Sequence, residues 1–280
     1  MSCLVTGAKG QLGTELCHYL EEKGLDYVAT GVEELDITNQ EQVTAYITEM
    51  KPSVVYHCAA YTAVDAAEDE GQDLNHQINV QGTENIAKAC GQVGAKLVYI
   101  STDYVFDGNQ RENGYLETDV TAPINAYGAA KLKGEEAVQT YCPNYYIIRT
   151  SWVFGAYGKN FVFTMQNLAK THPKLTVVDD QKGRPTWTRH LAEFMVYAVQ
   201  QEIASGVYHF SNEGICTWYE FAKEILKETE VEIAPVDSSQ FPQKATRPSY
   251  SVLNLDKTKA TGFHIPTWEE ALKEMLATLN

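Results

Sequence analysis

The run Thr6-Gly7-Ala8-Lys9-Gly10-Gln11-Leu12-Gly13 sets a glycine at every third position between two differently patterned segments. Ahead of it, Ser2 to Thr6 is short and largely apolar, as a buried first strand requires. Behind it, Leu12, Leu16, Tyr19 and Leu20 recur at helical spacing until Gly24, which is placed to end a helix. Strand, glycine turn and helix in that order make a site for a dinucleotide. Gly7 and Gly10 give a tight turn and let backbone approach the pyrophosphate. Gly13 lets the helix pack closely on the strand, with its N-terminus facing the anion. Gln11 and Leu12 belong to the same cofactor-contacting turn.

Outward from this corner the βα rhythm repeats. Tyr27 to Thr30 reads as the second strand. Its end, Thr30-Gly31, offers neither an acid for a ribose 2′-hydroxyl nor an arginine for a 2′-phosphate, so NADH and NADPH both stay open. Thr38 and Glu41 have the spacing of a capping box for a helix with Val43, Tyr46, Ile47 and Met50 on its inner face. Val54 to Tyr56 is a third strand that runs into Cys58-Ala59-Ala60-Tyr61-Thr62, where small residues let a flat cofactor lie against backbone. A helical run follows Asp65 to Glu68 and ends near Cys90, and Lys96 to Ile100 is the fourth strand. The alternation predicts an α/β fold, a doubly wound parallel sheet. Past Val153 the rhythm breaks into short strands at Thr176 to Val178 and Val207 to Phe210, with helices starting at Arg189, Trp218 and Trp268. The division read from this is a dinucleotide-binding domain over 1–153, completed by parts of 176–210. A smaller C-terminal substrate lobe occupies 154–280, with interleaved boundaries.

Composition narrows the partners. The chain has 280 residues, is 44% hydrophobic and 21% charged, and carries a net charge of −15. That charge argues against nucleic acid and anionic membrane, and it requires local positive potential wherever an anionic ligand binds. The start does not resemble a signal peptide, and no apolar run reaches the length of a membrane span. Six scattered cysteines without paired or metal-ligand spacing read as buried apolar groups in a reducing, cytoplasmic setting. No metal site is read from them or from the histidines. Among the basic residues of the second half, Lys159, Lys182, Arg184 and Arg247 fall in loops, with Arg247 favoured to hold a diphosphate.

Chemistry enters with Tyr127 and Lys131, four residues apart and so on one face of a helix. A free tyrosine titrates near pH ~10 and is a weak acid-base group at neutrality. A neighbouring ammonium is expected to lower that value toward working pH. Thr102, at the carboxyl end of the fourth strand, supplies a hydroxyl ahead of that helix. A carbonyl receiving hydride develops negative oxygen, which a hydroxyl and an acidic phenol stabilise and protonate.

The G-x-x-G-x-x-G spacing after Thr6, with Thr102, Tyr127 and Lys131, resembles the short-chain dehydrogenase/reductase superfamily, in its extended branch acting on nucleotide sugars. Ser101 to Gly108, Ala122 to Gly128, Arg149 to Val153 and Arg247 to Ser251 are similar to the dTDP-4-dehydrorhamnose reductase family over nearly the whole chain. The resemblance implies a Rossmann-like sheet and NAD(P)H-dependent reduction of the 4-keto group of dTDP-4-dehydro-L-rhamnose. It implies that Asp36 and Ile37 meet the adenine, that Thr102 and Asp103 contact the sugar, and that Trp152 walls its pocket. It assigns Asn79 to steadying the lysine through water. A homodimer built around magnesium is compatible with it, with Glu15 near a metal-ligand position, although the sequence alone supplies no ligand set for Mg2+. Two rivals stand beside it: an epimerase or dehydratase of the same branch, and a non-catalytic nucleotide-binding regulatory subunit.

Overall fold

In the computed structural model, which describes residues 2–279, β1 (Cys3–Thr6) passes through the glycine corner into α1 (Gln11–Glu22). β2 (Tyr27–Thr30), α2 (Gln40–Met50) and β3 (Val54–His57) follow. The helix α2 starts one residue later than the capping-box spacing predicts. The Thr38 hydroxyl donates to Asp36 Oδ1 at 2.7 Å, so the free side chain of Asn39 caps instead, accepting from Gln42 N at 3.0 Å. After β3, α3 (Gln72–His76) and α4 (Thr83–Val93) are joined by a π turn over Gln77–Gly82. β4 (Lys96–Thr102), α5 (Ala126–Tyr141) and β5 (Tyr145–Thr150) complete this half.

The second half begins with β6 (Val153–Phe154), α6 (Phe161–Ala169), β7 (Lys174–Val178), β8 (Lys182–Gly183) and β9 (Thr186–Trp187). Then come α7 (Thr188–Gln200), β10 (Gly206–His209), β11 (Cys216–Thr217), α8 (Trp218–Ile225), β12 (Glu232–Val236), α9 (Asp256–Lys259) and α10 (Trp268–Ala277). Within the interval 176–210, β10 joins the main sheet by pairing with β5, whereas β7 pairs with β12 in the smaller lobe.

The central sheet has the order β10-β5-β4-β3-β1-β2, with every pair parallel. The order reverses between β1 and β3, and in open α/β sheets the crevice outside the strand ends at such a point takes the ligand. Alternate side chains feed two cores. Cys3, Val5, Tyr56, Val98 and Ile148 meet Leu16 and Leu20 of α1 and Leu191, Phe194 and Met195 of α7. Leu4, Val55, Leu97, Tyr99 and Ile147 meet Val43, Ile47, Ile86, Cys90 and Val138 on the other face. Each such aliphatic or aromatic side chain contributes about 1.5–3 kcal/mol by leaving water. A third core in the lobe gathers Phe154, Phe221, Trp268 and Met275. Among the described residues no two cysteines form a disulfide. Among the described residues no helix is long and apolar enough to cross a membrane.

Candidate active site

The glycine corner lies at the β1/β3 reversal and is shaped by close backbone contact. Gly7 has φ +66°, and a Cβ there would lie 2.5 Å from the backbone nitrogen of Ala59. A Cβ on Gly13 would lie 2.2 Å from the Gly7 carbonyl oxygen, so the helix's first turn closes onto the loop itself. Gly10, expected to share the tight turn, is less constrained: its φ is −83° and a Cβ would meet Gly7 O at 3.2 Å. The start of α1 has no side-chain cap and no acid in its first turn, leaving N–H donors for an anion. These residues fit a dinucleotide's pyrophosphate. Gln11 Nε2 donates to Val153 O at 3.4 Å, and its Oε1 is buried without a hydrogen-bond partner. Leu12 packs against the α1/α7 core.

Beyond β2 the fold brings up two charged groups that the strand's end lacks in sequence. Glu34 folds back so that Gly31 N donates to its Oε2 at 2.7 Å, and Lys9 Nζ from the glycine loop reaches Glu34 at 3.0 Å and Glu33 at 3.1 Å. An acid and a cation therefore stand together just beyond the carboxyl end of β2. Asp36 Oδ1 accepts from Thr38 N at 2.9 Å, and Ile37 is buried against Gly82 with its carbonyl held by Asn85. Past β3, Ala59 packs on Gly7, Tyr61 is half-buried with Ala60, and Thr62 is exposed. The Asn79 side chain clasps Tyr61, accepting from its N–H at 3.0 Å and donating to its carbonyl at 2.9 Å. Its amide also donates to Asn75 Oδ1 at 2.8 Å.

Thr102, Asp103, Tyr127 and Lys131 come together where β4 ends against the first two turns of α5. Asn125 caps that helix by accepting from Gly128 N at 2.7 Å. Gly128 is required because a Cβ would lie 2.1 Å from Tyr104 O. Thr102 Oγ1 donates to Asp103 Oδ1 at 2.9 Å and accepts from Tyr104 N at 3.1 Å. Asp103 Oδ2 is buried without a partner, and burial pushes this carboxyl up to about 7 against hydrogen bonds from Ser251 and Thr102. Tyr127 packs edge-on against Tyr104, with centroids 6.1 Å apart.

The expected lowering of the phenol by Lys131 is not what governs it. Burial, then the charges of Asp103 and Tyr104, hold Tyr127 well above the ordinary tyrosine value, with its hydrogen bond to Thr102 acting the other way. The Lys131 Nζ lies over the face of Tyr99 at 4.1 Å from its centroid. Burial pushes this ammonium down to about 7, opposed by Glu135 and Cys58, so at neutrality it is only partly charged.

Next to these residues, joined to them through Tyr104, lies a cleft of about 790 Å³ lined by Tyr104, Phe161, Met165, Trp218 and Arg247 among others. Trp152 has a left-handed backbone at φ 47° and stacks on Trp218 with centroids 3.7 Å apart. Trp152 backs this wall, and Trp218 forms its lining face. Sequence reading missed Trp218 as a wall residue because it lies 66 positions away from Trp152 (218 − 152) and reads as the start of a core helix. Arg247 donates to Asp65 Oδ2 and to Gln243 Oε1, both at 2.8 Å. The strap that carries it is held by Asn125 Nδ2 donating to Thr246 O at 3.0 Å. Lys182 lies in β8 rather than in a loop. Arg184 donates to Gly214 O at 3.0 Å, and neither residue lines the cleft. Glu15 faces a separate recess of about 460 Å³ and lies 3.8 Å from Arg189, which also pairs with Glu193 at 3.0 Å and with Glu22. A guanidinium thus sits among these acids, and among the described residues no cluster of three or more His, Cys, Asp or Glu side chains is placed to hold a metal ion.

Comparison with known proteins gives the family. The chain matches the RmlD substrate binding domain family over residues 1–280. It is 45% identical to a dTDP-4-dehydrorhamnose reductase of Clostridium acetobutylicum of known structure, with a TM-score of 0.96 over 100% of this chain and 99% of that one. A Bacillus anthracis dTDP-4-dehydrorhamnose reductase, solved in complex with NADP, is 42% identical with a TM-score of 0.94 over 99% of both chains. The dTDP-4-dehydrorhamnose reductase of Escherichia coli K12 is 38% identical over 100% of this chain and 98% of its own length. With a full-length family match, full-length relatives and the same fold, the chain belongs to the RmlD family of dTDP-4-dehydrorhamnose reductases.

Proposed function

We infer that this chain is an NAD(P)H-dependent oxidoreductase that reduces the 4-keto group of dTDP-4-dehydro-L-rhamnose to give dTDP-L-rhamnose. The observation that carries the reading is the hydrogen bond of Tyr127 to Thr102, with Tyr127 packed on Tyr104 of the cleft wall. When bound, a reduced nicotinamide supplies the hydride that adds to carbon 4. The chain's own residues handle the oxygen and the proton. The Thr102 hydroxyl binds the carbonyl oxygen, and Tyr127 gives it the proton. Burial keeps that phenol protonated at neutral pH, so the donor is loaded when the keto sugar arrives. Lys131 holds the nicotinamide ribose, and Arg247 at the cleft wall meets the diphosphate. The aromatic wall of Trp218 and Phe161 takes flat or apolar parts of the substrate. The acid of Glu34 beside the cation of Lys9 supports use of both cofactors.

A reductase assay on a panel of nucleotide-linked 4-keto-6-deoxy sugars, followed by nicotinamide absorbance, tests this. Oxidation of NADPH or NADH with dTDP-4-dehydro-L-rhamnose, and slower turnover with its isomers, is the expected result. Cofactor binding without turnover of any keto sugar would sink the reading and favour the regulatory subunit.

A further inference from the structure

Beyond Tyr127 and Lys131, α5 places a third ionisable side chain at the same four-residue interval. Glu135 is 2% exposed, yet it makes strong polar contacts in three directions. It accepts from the Ser101 hydroxyl at 2.5 Å, and Ser101 immediately precedes Thr102 at the end of β4. It also accepts from both Arg149 Nε, at 2.9 Å, and Arg149 Nη2, at 2.7 Å, from β5. Ser101 and Arg149 are register partners in the β4–β5 pair, so one carboxylate ties a helix to two adjacent strands. The helix sits close enough for this because of Gly134, where a Cβ would lie 2.3 Å from the Tyr99 hydroxyl and 2.8 Å from Asn79 O.

We propose that Glu135 is a positioning residue for the reductive site: it locks α5 to the carboxyl end of β4 and presents the carboxylate that faces the Lys131 ammonium one helical turn away. This rests on the functional reading above. A buried bidentate ion pair is a poor source of net stability compared with apolar packing, so its value lies in the geometry and charge it fixes. The groups facing Lys131 are Glu135 on α5, Tyr99 on β4, His57 on β3 and Cys58 just beyond it, and Tyr127 stands one turn earlier on α5. Those facing Glu135 are Ser101, Tyr99 and Arg149. His57 is driven down to about 3, and Tyr99, Tyr127 and Cys58 are driven up, chiefly by burial, so none of them titrates near neutrality. Asp103 does titrate there, but it is common to every variant, so a difference between profiles belongs to Lys131.

The test measures the pH dependence of NADPH affinity and, separately, of kcat and KM in Glu135→Gln, in Glu135→Asp and in the paired Glu135→Gln/Arg149→Met. The paired variant leaves no buried charge unpartnered and serves if Glu135→Gln alone does not fold. Loss of the carboxylate should move the basic limb of NADPH binding down by about 1 pH unit or more. It should lower kcat with KM little changed, and Glu135→Asp should restore the limb. A folded Glu135→Gln or paired variant whose binding profile and kcat profile match the parent overturns the proposal. A shifted binding profile in a chain that reduces no keto sugar leaves the proposal standing and removes only the substrate assignment.

Discussion

The glycine corner and the cleft are made from different materials. On the cofactor side, contacts come from backbone: Gly7 against Ala59, Gly13 against Gly7, and an uncapped helix start. On the sugar side they come from side chains borrowed from distant segments, with Tyr104, Phe161, Trp218 and Arg247 meeting across the β5–β10 excursion. Backbone sites tolerate almost no added atom but are indifferent to most flanking residues. Side-chain sites degrade one contact at a time. On the function proposed above, the first kind fixes a common cofactor, and the second sets which substrate is accepted.

That contrast can be broken most sharply at the boundary between the two sides. Tyr127→Phe removes the proton donor while keeping the ring against Tyr104, so kcat should fall about 10²–10⁴-fold, with NADPH affinity nearly unchanged. Single-turnover kinetics read this directly, and retention of more than about a tenth of parental turnover would show that another group donates.

Next in size, Gly13→Ala should abolish measurable NADPH binding and destabilise the fold by about 1–3 kcal/mol, because its Cβ meets a carbonyl that cannot move away. Gly10→Ala should keep affinity within about tenfold, since only a tight contact at 3.2 Å opposes it. Titration of both variants by cofactor fluorescence, with thermal unfolding alongside, decides the ranking. Equal losses would mean that crowding by ligand, rather than by the loop itself, sets the requirement.

On the other side, Trp218→Ala should raise KM for the nucleotide sugar about tenfold, roughly the ~1.4 kcal/mol of one aromatic stacking contact, and leave NADPH affinity alone. A fall in kcat with KM unchanged would instead tie this wall to the chemistry.

The smallest effect concerns Asp103. Its folded value of about 7 lies above the ordinary carboxylate range, so the native state binds the proton more tightly than the unfolded chain does. Stability from this group is therefore greatest at acid pH and declines as pH rises from ~4 to about 7. Asp103→Asn should flatten that decline in urea titrations between pH 5 and 8. An unchanged slope would mean the carboxyl is ionised in the folded protein.

What was legible in the sequence follows the same division. The glycine spacing, the small residues after β3 and the Tyr127–Lys131 interval depend on near neighbours, and local patterns report near neighbours. Glu34 folding back to Gly31 was hidden because a side chain three residues past a strand gives no sign of its direction. Trp218 was hidden because the wall it shares with Trp152 is closed by tertiary packing. The direction of the Tyr127 shift was misjudged for a related reason: spacing showed the ammonium, but only the fold shows that burial outweighs it and leaves Lys131 itself partly charged. The capping of α2 by Asn39 instead of Thr38 turned on one competing hydrogen bond to Asp36.

The sixth strand of the sheet carries a consequence for how the molecule can be divided. β10 reaches its place beside β5 only after the chain has passed through α6 and β7 of the lobe, and α7, which covers Leu16 and Leu20, arrives by the same route. A fragment cut at residue 153 would expose the Tyr145–Thr150 backbone as a flat, unpaired edge and uncover one apolar face of the sheet. Such edges recruit other chains. The nucleotide-binding half is therefore no transplantable cassette, and recombination between relatives has to carry α7 and β10 along with it.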